Sequence, residues 1–249
     1  MNAPLRGFVN KCLLVLLLCM PVNTYAEKVV ICSAEFPGFT NKDGSGYYWD
    51  ILRKIFTSEG MDFEYASIPF SRCLISLEQG KVDGVAAFFK TEKRMKKFTY
   101  AKNRIHFSSY GLFYLEHTKF NGLDNIKGRV GKVRGYDFSS WLPATMSFEL
   151  LKDPVQGIKM LNAGRIKYYA EDTADFEFTL KRSPRARLSD YNRTIILTKD
   201  LFSAFSKSKK GQRLANVFDK GLARLAKSGV IQEISDNYEI KETVVQDFK

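Results

Sequence analysis

Between residues 29 and 87 the chain alternates two hydrophobic periodicities, and this alternation restricts it to very few folds. Val29-Val30-Ile31 is a short β-type run, stopped by the turn signal Pro37-Gly38. Ile51, Leu52, Ile55 and Phe56 then recur at helical spacing until Gly60. Phe63 and Tyr65 alternate as a strand, Leu74, Ile75 and Leu77 mark a short helix ending at Gly80, and Val82 to Ala87 form the next strand. An order of β-α-β-α-β is the pattern of a parallel sheet covered by helices.

The middle of the chain repeats this on a smaller scale. Ser108 to Leu115 is extended and apolar, and Val130 to Val133 is a strand running into Arg134-Gly135-Tyr136-Asp137. A helix is expected around Ser147 to Leu151 and another over Gly157 to Asn162, followed by a strand from Ile166 to Ala170 that ends in Glu171-Asp172. Thr194 to Leu197 and Leu201 to Ser206 are two further extended runs. Leu214, Val217, Phe218, Leu222 and Leu225 define a strongly amphipathic helix, and a shorter one follows Gly229 up to Tyr238. No Pro-rich or low-complexity linker separates these parts, so two domains would be joined by strands.

Residues 1–26 carry the marks of a secretory signal peptide: Arg6 and Lys11, an apolar run from Cys12 to Met20, the break at Pro21, and small residues at Thr24 and Ala26. The run is too short to span a bilayer, which takes about 20 residues. The mature chain then begins near Glu27, and loss of Arg6 and Lys11 lowers the net charge from +12 to +10. Its basic residues are scattered without a polybasic tail or repeated basic-aromatic motif, which favours a cationic surface over nucleic-acid binding. Of the cysteines only Cys32 and Cys73 remain, in a chain bound for an oxidising compartment. Two lone thiols in an exported protein pair more often than they act as nucleophiles. With His106 and His117 the only histidines and no CxxC pair, a zinc site has almost no material.

The chemistry-bearing stretch is Gly80-Lys81-Val82-Asp83-Gly84 followed by Thr91-Glu92-Lys93-Arg94. A buried strand there runs into a loop that presents Arg94, and ligands in open α/β sheets bind at strand ends. The alternative is an ordinary solvated helix start.

Taken together, the opening strand, Gly46-Tyr47-Tyr48-Trp49-Asp50, Gly80-Lys81-Val82-Asp83, Thr91-Glu92-Lys93-Arg94, Gly164-Arg165-Ile166 and the closing helix through Lys227-Ser228-Gly229 to Tyr238 resemble the periplasmic solute-binding proteins of ABC transporters, in the family that captures polar amino acids (extracellular solute-binding proteins, family 3). The resemblance implies two α/β lobes, each a mainly parallel sheet flanked by helices, joined by two hinge strands. It places the first lobe at 27–110 and 204–249 and the inserted second lobe at 111–203. Arg94 matches the arginine that grips the ligand carboxylate, Asp172 the carboxylate that meets its ammonium group, and Phe70 a stacking aromatic. Phe36 occupies another often aromatic place, and Gly135, Tyr136 and Asp137 fall on the second-lobe loop that completes the anion site. Ala87 and Phe89 stand where relatives offer hydroxyls, so the expected pocket is more aromatic than usual. The packing that the resemblance gives the first strand and the helix holding Cys73 puts Cys32 and Cys73 within bridging reach.

The function implied is a periplasmic, monomeric, non-enzymatic receptor with no cofactor or metal, capturing a small zwitterion or carboxylate for an ABC permease. A sensory receptor fits the same residues. An enzyme on this scaffold, of the cyclohexadienyl or arogenate dehydratase type, would need an acid or base such as Glu171, Asp172 or Asp137. No Gly-x-Ser-x-Gly elbow, metal cluster or phosphate loop accompanies them.

Overall fold

The structure, a computed structural model, describes residues 26–138, 141–144, 146–182 and 186–240. The signal peptide expected at 1–26 therefore lies almost wholly outside the described residues. Within them no helix is long and apolar enough to cross a membrane.

One continuous sheet organises the chain. β1 (Lys28–Ser33) lies between β2 (Asp62–Ser67) and β3 (Gly84–Phe88), parallel to both. β9 (Tyr191–Phe205) pairs antiparallel with β3 through its last residues, where the two-residue β4 (Thr99–Tyr100) also joins it. Its first eleven residues pair antiparallel with β5 (His106–Leu115), and Ile196 is left over where the register shifts at Tyr110/Gly111. β8 (Tyr168–Asp172) is antiparallel on the far side of β5, followed by β6 (Val130–Val133) and β7 (Phe148–Leu151), both parallel. β5 and β9 are thus the two strands that run between the halves.

Helices cover both halves. α1 (Tyr47–Thr57) buries Trp49, Ile51, Leu52, Ile55 and Phe56 against the first half. α6 (Lys209–Lys227) buries Leu214, Phe218, Leu222 and Leu225 on one stripe, capped by the Ser208 hydroxyl accepting from Gly211 N–H. Each such side chain contributes roughly 1.5–3 kcal/mol by leaving water. The two helices touch at Gly221, where a Cβ would lie 2.6 Å from Ile55 Cγ2, so only glycine permits the approach. α7 (Val230–Asn237) follows, and Tyr238 just past it accepts from Gly46 N–H at 2.8 Å and donates to Asp50 at 2.6 Å. α2 (Phe70–Glu78) packs beside β1 and is tied to it by a disulfide between Cys32 and Cys73. In the second half, α4 (Pro154–Asn162) and α5 (Thr173–Lys181) bury Ile158, Leu161, Phe176 and Leu180 with Tyr169.

Three expectations are corrected. Residues 148–151 are the strand β7 rather than a helix. Four residues give no helical period, Leu151 points inward and Leu150 outward, and Asp153 then caps α4, accepting from Gln156 N–H at 2.8 Å. The runs at 194–197 and 201–206 are one strand, because Lys199 and Asp200 continue the ladder opposite Ser108 and Phe107. The helix α5 has no counterpart in the sequence reading, since Asp175 and Thr179 on its buried side break the apolar stripe.

Candidate functional site

A cavity of about 560 Å³ lies between the halves, at the ends of β1, β3 and β8, within the range of small-ligand sites. Its wall includes Phe36, Phe70, Ala87, Phe89, Arg94, Tyr136 and Asp172 from the expected set. Gly135 and Asp137 are not in that wall.

Arg94 is buried because α3 (Glu92–Lys97) begins at the Thr91 cap, whose hydroxyl accepts from Arg94 N–H at 3.3 Å. Glu92 and Lys93 face water while Arg94, 6 % exposed, turns inward. Its guanidinium carbon lies 4.6 Å from the Phe89 ring centroid and 5.1 Å from that of Phe88. Nη1 donates to Phe89 O at 3.0 Å, and Nη2 crosses to the other half, donating to Gly135 O at 2.9 Å. The fork has further N–H groups beyond these two bonds. Burial lowers the guanidinium's pKa, opposed chiefly by Tyr100 and Tyr110.

Gly135 has φ +96°, a conformation that favours glycine, and a Cβ there would press on Phe70 Cδ1 at 3.0 Å. It offers Arg94 a carbonyl, so its role here is to hold the arginine. The neighbouring Tyr136 ring stands edge-on to Phe70 at 5.6 Å and to Tyr110 at 6.5 Å. Phe36 stacks on Phe39 at 4.5 Å. At the mouth Arg182 of the second half meets Glu35 of the first at 3.5 Å.

The opposite wall is acidic. Asp172 caps α5: its Oδ1 accepts from the N–H groups of Ala174 and Asp175 at 2.9 and 3.2 Å, and its Oδ2 from the Ser108 hydroxyl. Glu171, fully buried behind it, accepts from Tyr169 and from Asp172 N–H. Burial pushes the Asp172 carboxyl up to about 6 and that of Glu171 up to about 8, against the hydrogen bonds they accept. Cys32 and Cys73, the expected disulfide, are bonded and lie beside this site rather than in it. Among the described residues no cluster of His, Cys, Asp and Glu is placed to hold a metal ion.

Tyr48, Tyr110 and Asp175 line the same cavity and were absent from the expected set. Asp175 follows Asp172 at helical spacing, but that signal is legible only once α5 is known to be a helix.

The raised carboxyl gives a pH signature. Glu171 holds its proton more tightly folded than unfolded, so its stabilisation is full below 4.5 and is lost as pH rises through about 8. His106, depressed to about 4 by burial, acts oppositely, losing stability as pH falls from 6.5. Between pH 6.5 and 8 His106 no longer contributes, and Glu171 acts together with Asp175, whose carboxyl pKa is also raised, by burial and then by Glu171. The melting temperature of the empty protein is expected to fall across that interval, and Glu171→Gln to shrink the fall. An unchanged slope in the variant would show that Glu171 is not the titrating group.

No curated protein sequence matches the chain. Several solved structures share its fold at low identity. A substrate-binding protein of an ABC uptake transporter from Streptococcus pneumoniae with bound histidine superposes with a TM-score of 0.73 at 18% identity, over 87% of this chain and 94% of that one. An arginine-binding protein mutant from T. maritima gives 0.71 at 17%, over 85% and 94%. A histidine kinase sensor domain gives 0.72 at 18%, over 85% and 95%. The model of one family matches residues 29–241, and on that match the chain belongs to the bacterial extracellular solute-binding proteins, family 3.

Proposed function

We propose that this chain is a periplasmic receptor that captures a small zwitterion, an amino acid or close derivative, and delivers it to a membrane ABC permease. The observation that carries the reading is that Arg94 and Asp172, from opposite halves, line one cavity between them, across which Arg94 already donates to Gly135 O. A ligand whose carboxylate meets Arg94 and whose ammonium meets Asp172 binds the closed form better than the open one, and so shifts the population towards closure. The lobes divide near residues 110 and 203, where β5 and β9 pass between the halves. The second reading, a sensory receptor, is supported by the likeness to a kinase sensor domain. It uses the same cleft and differs only in the partner that the closed form meets.

A thermal-shift screen of amino acids, small peptides and organic acids identifies the ligand, because a molecule that binds only the folded state raises its apparent stability. For any α-amino acid that binds, its N-acetylated and decarboxylated analogues are expected to fail in calorimetry. An N-acetyl form binding as tightly as the parent would remove the ammonium role of Asp172.

A further inference from the structure

Of the asparagines in this chain only Asn192 is followed two residues later by a hydroxyl residue, in Asn192-Arg193-Thr194, and an acid, Asp190, stands two residues before it. Asn-x-Ser/Thr with no proline between is the acceptor pattern for an N-linked glycan in exported chains. A pattern this short recurs by chance, so its place in the fold decides whether it can be used. Asn192 is the second residue of β9, directly after the single 3-10 turn Leu188–Asp190, and its side chain is exposed. In extended chain, residues two apart share a face, so the amide of Asn192 and the hydroxyl of Thr194 are presented together.

The fold also leaves room for a sugar. Over residues 191–201 the one strand paired with β9 among the described residues is β5, and β3 joins the other side only at Phe202, Ala204 and Phe205. One side of this stretch is therefore a free edge of the sheet. The Asn192 side-chain amide donates to Glu116 O at 3.3 Å. Such an amide carries two hydrogens, so the bond to Glu116 survives when the other is replaced by a sugar. Arg193, on the opposite face by the same alternation, pairs with Glu177 at 2.6 Å and stays clear of the amide. Asp190 is exposed, so its charge is open to an enzyme as well.

We infer that Asn192 is an acceptor for an N-linked glycan, transferred from a lipid diphosphate by a membrane oligosaccharyltransferase that also reads Asp190 and Thr194. The amide nitrogen attacks C1 of the sugar. The N–C1 bond forms as the C1–O bond to the diphosphate breaks, and the displaced amide proton leaves with the lipid diphosphate. The inference needs export but no ligand in the cleft, so it stands or falls apart from the receptor function. A glycan there has a use, since an open strand edge invites pairing with another chain and a sugar near its start obstructs that approach.

The test is expression of residues 27–249 behind an established export leader, in bacterial cells that carry a transferase of this class, its lipid-linked oligosaccharide and a known acceptor protein as control. Mass spectrometry of the periplasmic protein and its peptides is expected to show one added glycan, on the peptide containing Asn192. Asn192→Gln and Thr194→Val are expected to lose it, Thr194→Ser to keep it, and Asp190→Ala to lose most of it. Melting curves check that the variants fold. An unmodified chain beside a modified control, or a glycan that survives Asn192→Gln, would overturn the site. Full occupancy in Asp190→Ala would keep the acceptor and remove Asp190 from it. Light scattering at rising concentration then compares the modified and unmodified proteins. Association suppressed by the glycan supports the shielded edge, and equal association removes it.

Discussion

A Cys32→Ala, Cys73→Ala double variant is expected to unfold with about 4 kcal/mol less free energy than the parent protein. The bond joins residues 41 apart in sequence, and the chain-entropy relation for a loop of that size gives a figure between those for short and very long loops. Both cysteines are fully buried, in a cluster with Leu77, Val85 and Phe88, so truncation adds a packing loss in the same direction. The structural consequence is local: α2 would be held to β1 by side-chain contacts alone, and α2 carries Phe70 into the cavity wall. Chemical denaturation of the two proteins side by side measures the difference. A shift of less than about 1 kcal/mol would mean that the bridge constrains the unfolded chain far less than its span requires.

Arg94→Ala is expected to weaken binding of any carboxylate-bearing ligand by roughly thirtyfold to several thousandfold, as truncating one partner of a desolvated charge pair costs about 2–5 kcal/mol. The guanidinium is held by aromatic faces and by two backbone carbonyls, one in each half, which fixes its remaining donors in the plane a carboxylate needs. Arg94→Lys keeps the charge but cannot reach Phe89 O, Gly135 O and a carboxylate with one nitrogen. Its affinity should therefore fall between the two. Calorimetry with the ligand found in the screen decides the matter. Affinity within about threefold of the parent in Arg94→Ala would make the residue a strap between the halves and nothing more.

Where burial is one-sided and periodic, the elements were legible from residue order alone. Ile51 to Phe56 and Leu214 to Leu225 lie on stripes facing a core, and α1 and α6 sit where that spacing puts them. Asp83 and Asp50, each inside a motif quoted for the resemblance, accept from Val30 N–H at 2.9 Å and from the Tyr238 hydroxyl at 2.6 Å. What stayed hidden lies at the cavity. α5 turns acids and a threonine inward because its buried side faces a polar site, so the rule that buried faces are apolar conceals it. Arg94 hides in the opposite way: Glu92-Lys93-Arg94 has the composition of a solvated turn, and only the third side chain is inside. Resemblance to a family could mark Arg94 and Asp172, but no local pattern distinguished Asp175 from any other helix acid.

The packing of α6 and Tyr238 on α1 also orders events in time. Hydrogen bonds join Gly46 to Tyr238 and Lys28 to Lys210 across 192 and 182 residues of chain. Synthesis runs from the N-terminus, so the first strands and helix made must wait for nearly the last ones before their core can close. Contacts this distant in sequence also slow folding itself, since the loop between them must be closed before they give any return.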